Sequence, residues 1–131
     1  MHIFVISATD LEVKTVILTS TGEAGVQRRS RMGQYARTGQ RVYGAPVFAQ
    51  VARQRGEKQF YLFVGRDGLW RVGPNLASYP DSELKNKKKN EATPPSDGWL
   101  YYSNNKWVRD VDMLATVLMR EGETRDVNNN N

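Results

Sequence analysis

The stretch "KQFYLFVGRDGLWRVG", residues 58–73, sets the fold class, because it carries two strand arms and the turn between them. In the first arm Phe60, Leu62 and Val64 alternate with Tyr61 and Phe63. A period of two puts each set on one face of a strand, and both sets are apolar, so both faces are expected to be covered. Asp67-Gly68 is expected to supply the positive φ angles of a tight hairpin turn, and Trp70 lies in the return arm. A second segment repeats the layout: "GWLYYS" (98–103), a turn at Asn104-Asn105, and "KWVRD" (106–110). Asparagine tolerates the left-handed region better than most residues, which makes Asn-Asn a credible two-residue turn.

Outward from these hairpins the chain reads as more short strands. "VYGAPVFAQV" (42–51) is expected to be one strand, with Gly44 and Pro46 marking a bulge or an edge position where a partner strand could pair. "LEVKTVIL" (11–18) alternates with Leu11, Val13, Thr15 and Ile17 on one face, and "HIFVI" (2–6) is its expected partner across the turn "SATD". The segment 19–34 has three glycines and no clean period, and is expected to be a long loop with at most one helical turn at 23–31. Prolines at 74, 94 and 95 bracket "KNKKKN" (85–90), which reads as a surface loop. Leu114 to Leu118 is expected to be a strand. Residues 1–121 then make one domain, and 122–131 a disordered tail. The fold class that follows is mainly β: a small antiparallel sheet or barrel-like domain built from consecutive hairpins, with at most one short helix.

Composition narrows the chemistry. The 131 residues contain no cysteine, which excludes disulfides and thiolate zinc sites. The only histidine is His2, so histidine-based acid-base catalysis and histidine metal clusters have no material. Neither "TGEAG" nor "GRDGLWRVG" supplies a phosphate-loop signature. Asp110 and Asp112 are the one carboxylate pair to weigh for a hard cation or for acid-base work, and they are expected to flank a strand at its solvent end. No catalytic residue, metal or cofactor is expected, and no apolar run is long enough to span a bilayer. Without a signal peptide or cysteines, the chain is expected to be cytoplasmic.

The net charge of +5 is concentrated in the middle third, where residues 28–71 hold ten cations against Glu57 and Asp67, a net of +8. Arg28, Arg29, Arg31, Arg53, Arg55 and Arg66 there, with Lys87, Lys88 and Lys89 of the lysine run, are the candidate contacts for an acidic partner or other polyanion. The three tryptophans and the residues alternating with them are expected to build the core, since each large ring buries about 150–250 Å². Tyr43 and Tyr102 are left as candidate aromatic contacts.

Residues 33–118 also resemble a tryptophan- and tyrosine-rich β module of eukaryotic multidomain proteins. The matching elements are Gly33 and Tyr35, Gly44 to Phe48, Tyr61 to Phe63, Trp70 to Pro74, Pro94 to Tyr101, and Trp107 to Val117. The resemblance implies an interaction role and assigns no individual ligand residue. The expected function is therefore a non-catalytic module that recognises a protein partner through loops and an edge strand. The alternative is single-strand nucleic-acid binding by the basic 28–71 region with exposed aromatics.

Overall fold

In the computed structural model, residues 13–51, 56–76 and 81–119 are described. They form nine strands in one antiparallel sheet: β1 (Thr15–Ser20), β2 (Gly33–Val42), β3 (Ala45–Gln50), β4 (Tyr61–Val64), β5 (Leu69–Gly73), β6 (Leu84–Lys89), β7 (Trp99–Ser103), β8 (Lys106–Arg109) and β9 (Met113–Leu118). A one-turn helix, α1 (Glu23–Gln27), and a 3-10 turn at Arg29–Arg31 lie between β1 and β2. The mainly β, hairpin-built fold expected from the sequence is what the chain adopts.

The order across the sheet is β8-β7-β6-β5-β4-β3-β2-β1-β9. Strands β8 and β9 are thus the two edges, yet only residues 110–112 separate them in the chain. Laid flat, nine strands would hold their edges roughly 38 Å apart at about 4.8 Å per neighbour. Three connecting residues reach about 14 Å at most. The sheet must therefore curl until its edges approach at that corner, giving a half-barrel. Register shifts between Arg37 and Arg41 in β2 and between Leu69 and Arg71 in β5 supply local bends of the kind bulges impose. At the first shift the Thr38 hydroxyl donates to the Val47 carbonyl at 2.9 Å.

Asp110 fastens the corner. Its carboxylate accepts from the Ser20 hydroxyl at 2.7 Å, the Ala24 amide at 2.9 Å and the Asp112 amide at 2.9 Å, tying the β8–β9 junction to the end of β1 and to α1. The approach is close enough that a side chain at Gly22 would meet an Asp110 oxygen at 2.5 Å. The solvent-end reading of the Asp110/Asp112 pair is thereby corrected for Asp110, which is 5% exposed and serves as a structural acceptor.

The concave face carries the core. Paired positions run across the sheet as Phe48, Leu62, Val72, Leu84, Tyr101 and Val108, and a neighbouring row runs Val117, Val16, Tyr35 and Gln50. Trp70 and Trp99 are completely buried. Their polar edges are satisfied, since Trp70 Nε1 donates to the Glu91 carbonyl at 2.9 Å and Trp99 Nε1 to the Pro95 carbonyl at 3.1 Å. Trp107, expected in the core with them, is instead half-buried and lies outside the core cluster. Val47 and Phe63, on the opposite face of the sheet from Phe48 and Leu62, are also buried, as the two apolar sets of 58–64 require.

Both hairpins form. Asn104 and Asn105 take φ of 52° and 64°, the left-handed pair of a type I′ turn. In the first hairpin only Gly68 is left-handed, at φ 83°, while the Asp67 carboxylate accepts from the Leu69 amide, so the turn spans Gly65 to Gly68 and not two residues.

Four expectations are corrected. The segment 42–51 is not one strand: Tyr43 and Gly44, at φ 51° and 81°, form a second type I′ turn joining β2 to β3. Nor is it an edge, because β3 lies between β2 and β4, so no partner strand can add there. "KNKKKN" is not a loop but most of β6, whose Asn86 faces inward, donates to the Asp97 carbonyl and accepts from the Lys88 amide. In β1 the buried residues are Val16 and Leu18, one position out of phase with the Thr15/Ile17 face read from the sequence. The strand expected at 2–6, its "SATD" turn and the tail at 122–131 lie outside the described residues.

Candidate functional site

The outer face of β5 to β8 carries a groove of about 810 Å³. Tyr102 on β7 and Trp107 on β8 are directly paired two residues either side of the Asn104-Asn105 turn, so their rings share this face and meet edge to face at 5.2 Å. Lys85 on β6 reaches across, with Nζ 4.3 Å from the centre of the Trp107 ring. Arg71 on β5 pairs across the sheet with Lys85, and Arg71, Lys58 and Lys85 all line the groove. Burial, then the charge of Arg71, hold the Lys85 ammonium below its usual pKa, and Asp67 offsets only part of that.

Arg71 is itself 5% exposed, donating to Asp67 and, at 3.1 Å, to the Ser82 hydroxyl. For the Asp67 carboxyl, burial acts to raise the pKa, but the hydrogen bonds from Arg71 and the Leu69 amide, with the Arg71 charge, win and leave it below the usual carboxylate range.

Beside the groove runs β8. In a hairpin with a two-residue turn, Ser103–Lys106 and Tyr101–Val108 are hydrogen-bonded pairs. The Asp110 amide donating to the Trp99 carbonyl continues that alternation. Trp107 and Arg109 therefore turn their backbone N–H and C=O away from β7, and no described strand lies beyond them. The other edge is occupied where it starts: the Met113 amide donates to the Asp110 carbonyl and the Ala115 amide to the Ser96 carbonyl.

The candidate residues read from the sequence are scattered by the fold. Arg28 and Arg31 are half-buried and committed to contacts within the fold. Both pair with Glu83, Arg28 also donates to the Tyr102 carbonyl at 2.6 Å, and the Arg31 guanidinium stacks 4.5 Å over Phe60. Burial, with the neighbouring Arg28 charge, lowers the Arg31 pKa, and Glu83 opposes the shift. Arg29 and Lys87 are exposed, and Lys88 pairs with Asp97 at 2.6 Å. Arg53 and Arg55 lie outside the described residues. Tyr102 and Arg31 line the outer groove, whereas Tyr43, Arg66 and Lys89 converge on a separate cleft of about 510 Å³ at one end of the half-barrel.

The sequence reading placed the β8 hairpin arm at 106–110 but did not mark it as an edge, and it named neither Lys85 nor Arg71 among the candidate contacts. The partnership of Tyr102 with Trp107 was available in it, because an Asn104-Asn105 turn dictates that register. Among the described residues no group of three or more histidines, cysteines or carboxylates could hold a metal ion, and no helix is long and apolar enough to cross a membrane. No family model matches the chain, and neither the curated proteins nor the solved structures give a match.

Proposed function

We propose that this domain is a protein-recognition module in which an extended, acidic segment of a partner adds to edge strand β8 and lays alternate side chains into the groove beside it. The observation that carries this reading is the outward-facing backbone at Trp107 and Arg109 on a strand beside a groove whose cations, Arg31, Lys58, Arg71 and Lys85, outnumber its carboxylates, Asp81 and Glu83. Lys106 and Arg109 are exposed on β8, and Lys85 lies beyond the Trp107 ring. Main-chain bonds to the edge would supply affinity, and pockets for alternate side chains would supply selectivity. Edge cations also oppose pairing between two copies of this chain. Base stacking is less favoured at this site, because one face of Trp107 is already covered by Lys85 and its flank by Tyr102. Arg28 and Arg31, the head of the expected polyanion patch, are committed to Glu83.

A display library of extended peptides, randomised at alternate positions, tests the proposal. Enriched sequences are expected to be acidic, and their binding to weaken as pH rises through the titration of Lys85, whose pKa burial holds below its ordinary value. Arg109→Pro removes an outward N–H without costing a hairpin hydrogen bond, and is expected to abolish binding. Arg109→Gln keeps that N–H and loses only the charge, so it should weaken binding more mildly. Absence of acidic enrichment, or full binding by Arg109→Pro, would overturn the reading.

A further inference from the structure

The cleft at the end of the half-barrel poses a separate question, because its lip is made by a residue that neither stability nor turn chemistry explains. Tyr43 holds φ at 51° in the first central position of the β2–β3 turn. Asparagine, aspartate or glycine is the usual occupant there, and a bulky side chain in the left-handed region carries a strain cost. Nor is the ring there for burial, since Tyr43 is 67% exposed. A strained, solvent-facing aromatic at a cleft is the kind of outlier from which a functional role is inferred.

The remaining walls come from the Gly65–Gly68 turn and the end of β6. Arg66, Lys89 and Asn90 offer donors, Glu91 is an acceptor, and Ala45 and Val64 provide an apolar strip. A volume of about 510 Å³ falls within the usual range for small-ligand sites. Asp67 also lines the cleft, with its carboxylate already bound to Arg71 and the Leu69 amide.

We infer that this cleft binds a saccharide, with one pyranose ring laid against the face of Tyr43 and its hydroxyls bonded to Arg66, Lys89, Asn90 and Glu91. Hydroxyls both donate and accept, and therefore suit a wall of mixed donors and acceptors. A polyphosphate accepts only, and would meet the Glu91 and Asp67 carboxylates as like charges. The single open ring fits one sugar face, and the apolar strip takes the C–H edge of the next unit. This site uses none of the residues of β8, so it extends the function beyond partner recognition.

The experiment is an immobilised panel of neutral and acidic oligosaccharides, with single-stranded DNA and RNA oligonucleotides alongside, probed with the whole chain and three variants. The parent is expected to bind a subset of the glycans and no oligonucleotide. Tyr43→Phe keeps the ring and should bind within a few-fold of the parent. Tyr43→Asn restores the preferred turn residue, so it should melt at or above the parent temperature while losing glycan binding by at least tenfold. Arg109→Pro should leave glycan binding unchanged, which separates this site from the β8 edge. Absence of glycan binding by the parent, undiminished binding by Tyr43→Asn, or retention of oligonucleotides in place of glycans would each overturn the inference.

Discussion

Replacing Asp110 by alanine removes the acceptor that holds the β8–β9 corner to β1 and α1, and the cost can be worked from its three bonds. The Ala24 amide bond is fully buried, so losing its partner strands a donor in the interior, worth about 1–3 kcal/mol. The Ser20 hydroxyl and the Asp112 amide are partly buried and can recruit water, so each loses about 0.5–1 kcal/mol. The sum is about 3 kcal/mol, which for a domain of this size lowers the melting temperature by roughly 10–20 °C. Asp110→Asn keeps one oxygen but turns an NH₂ group toward existing donors, and should fall between the alanine variant and the parent. Urea denaturation followed by far-ultraviolet circular dichroism measures both, with Lys88→Ala as the control. That substitution breaks only the exposed, solvent-screened pair with Asp97 and should leave the denaturation midpoint essentially where it is in the parent. An Asp110→Ala protein within about 1 kcal/mol of the parent would refute the corner as the fastening of the half-barrel.

Two further outcomes follow from the charged groups. Asp67 has a folded pKa held below its ordinary value, so its contribution to stability is present above the unfolded value of about 3.9 and is lost as pH falls through the folded one. Asp67→Asn should therefore flatten the fall in stability below about pH 4, as read from denaturation midpoints across acid pH. Arg31→Ala leaves Glu83 with only its longer contact to Arg28 and uncovers Phe60, and should destabilise by about 1–3 kcal/mol, whereas Arg29→Ala at the exposed neighbour should change stability by less than about 0.5 kcal/mol. Equal effects in the two variants would mean that Arg31 is not spent on the fold.

The hairpins at 58–73 and 98–110 were legible because alternation and turn residues agree there, and local signals need no distant partner. Other elements were hidden by partners far off in sequence. The lysine run has poor strand propensity on its own, but β5 and β7 on either side impose the extended form, and Asn86 finds its partners at Asp97 and Lys88. In β1 the run Thr15 to Leu18 is apolar or β-branched at every position, so its alternation reads equally well in either phase, and only the pairing with β2 and β9 chooses Val16 and Leu18. The β2–β3 turn was obscured by Tyr43, a residue that turn chemistry does not favour. Arg28 and Arg31 read as free surface because Glu83, more than fifty positions away, gives no sign in sequence of meeting them. Tyr43 and Tyr102 both lie outside the core cluster, and the fold places them at different clefts.

Two indoles, Trp70 and Trp99, lie inside the half-barrel, and the third, Trp107, lies outside on β8. Acrylamide quenching of the parent and of Trp107→Phe measures that division directly. The parent should show one accessible population and one protected one, and Trp107→Phe should keep only the protected population, with blue-shifted emission. Quenching of Trp107→Phe to the same extent as the parent would contradict the placement of all three.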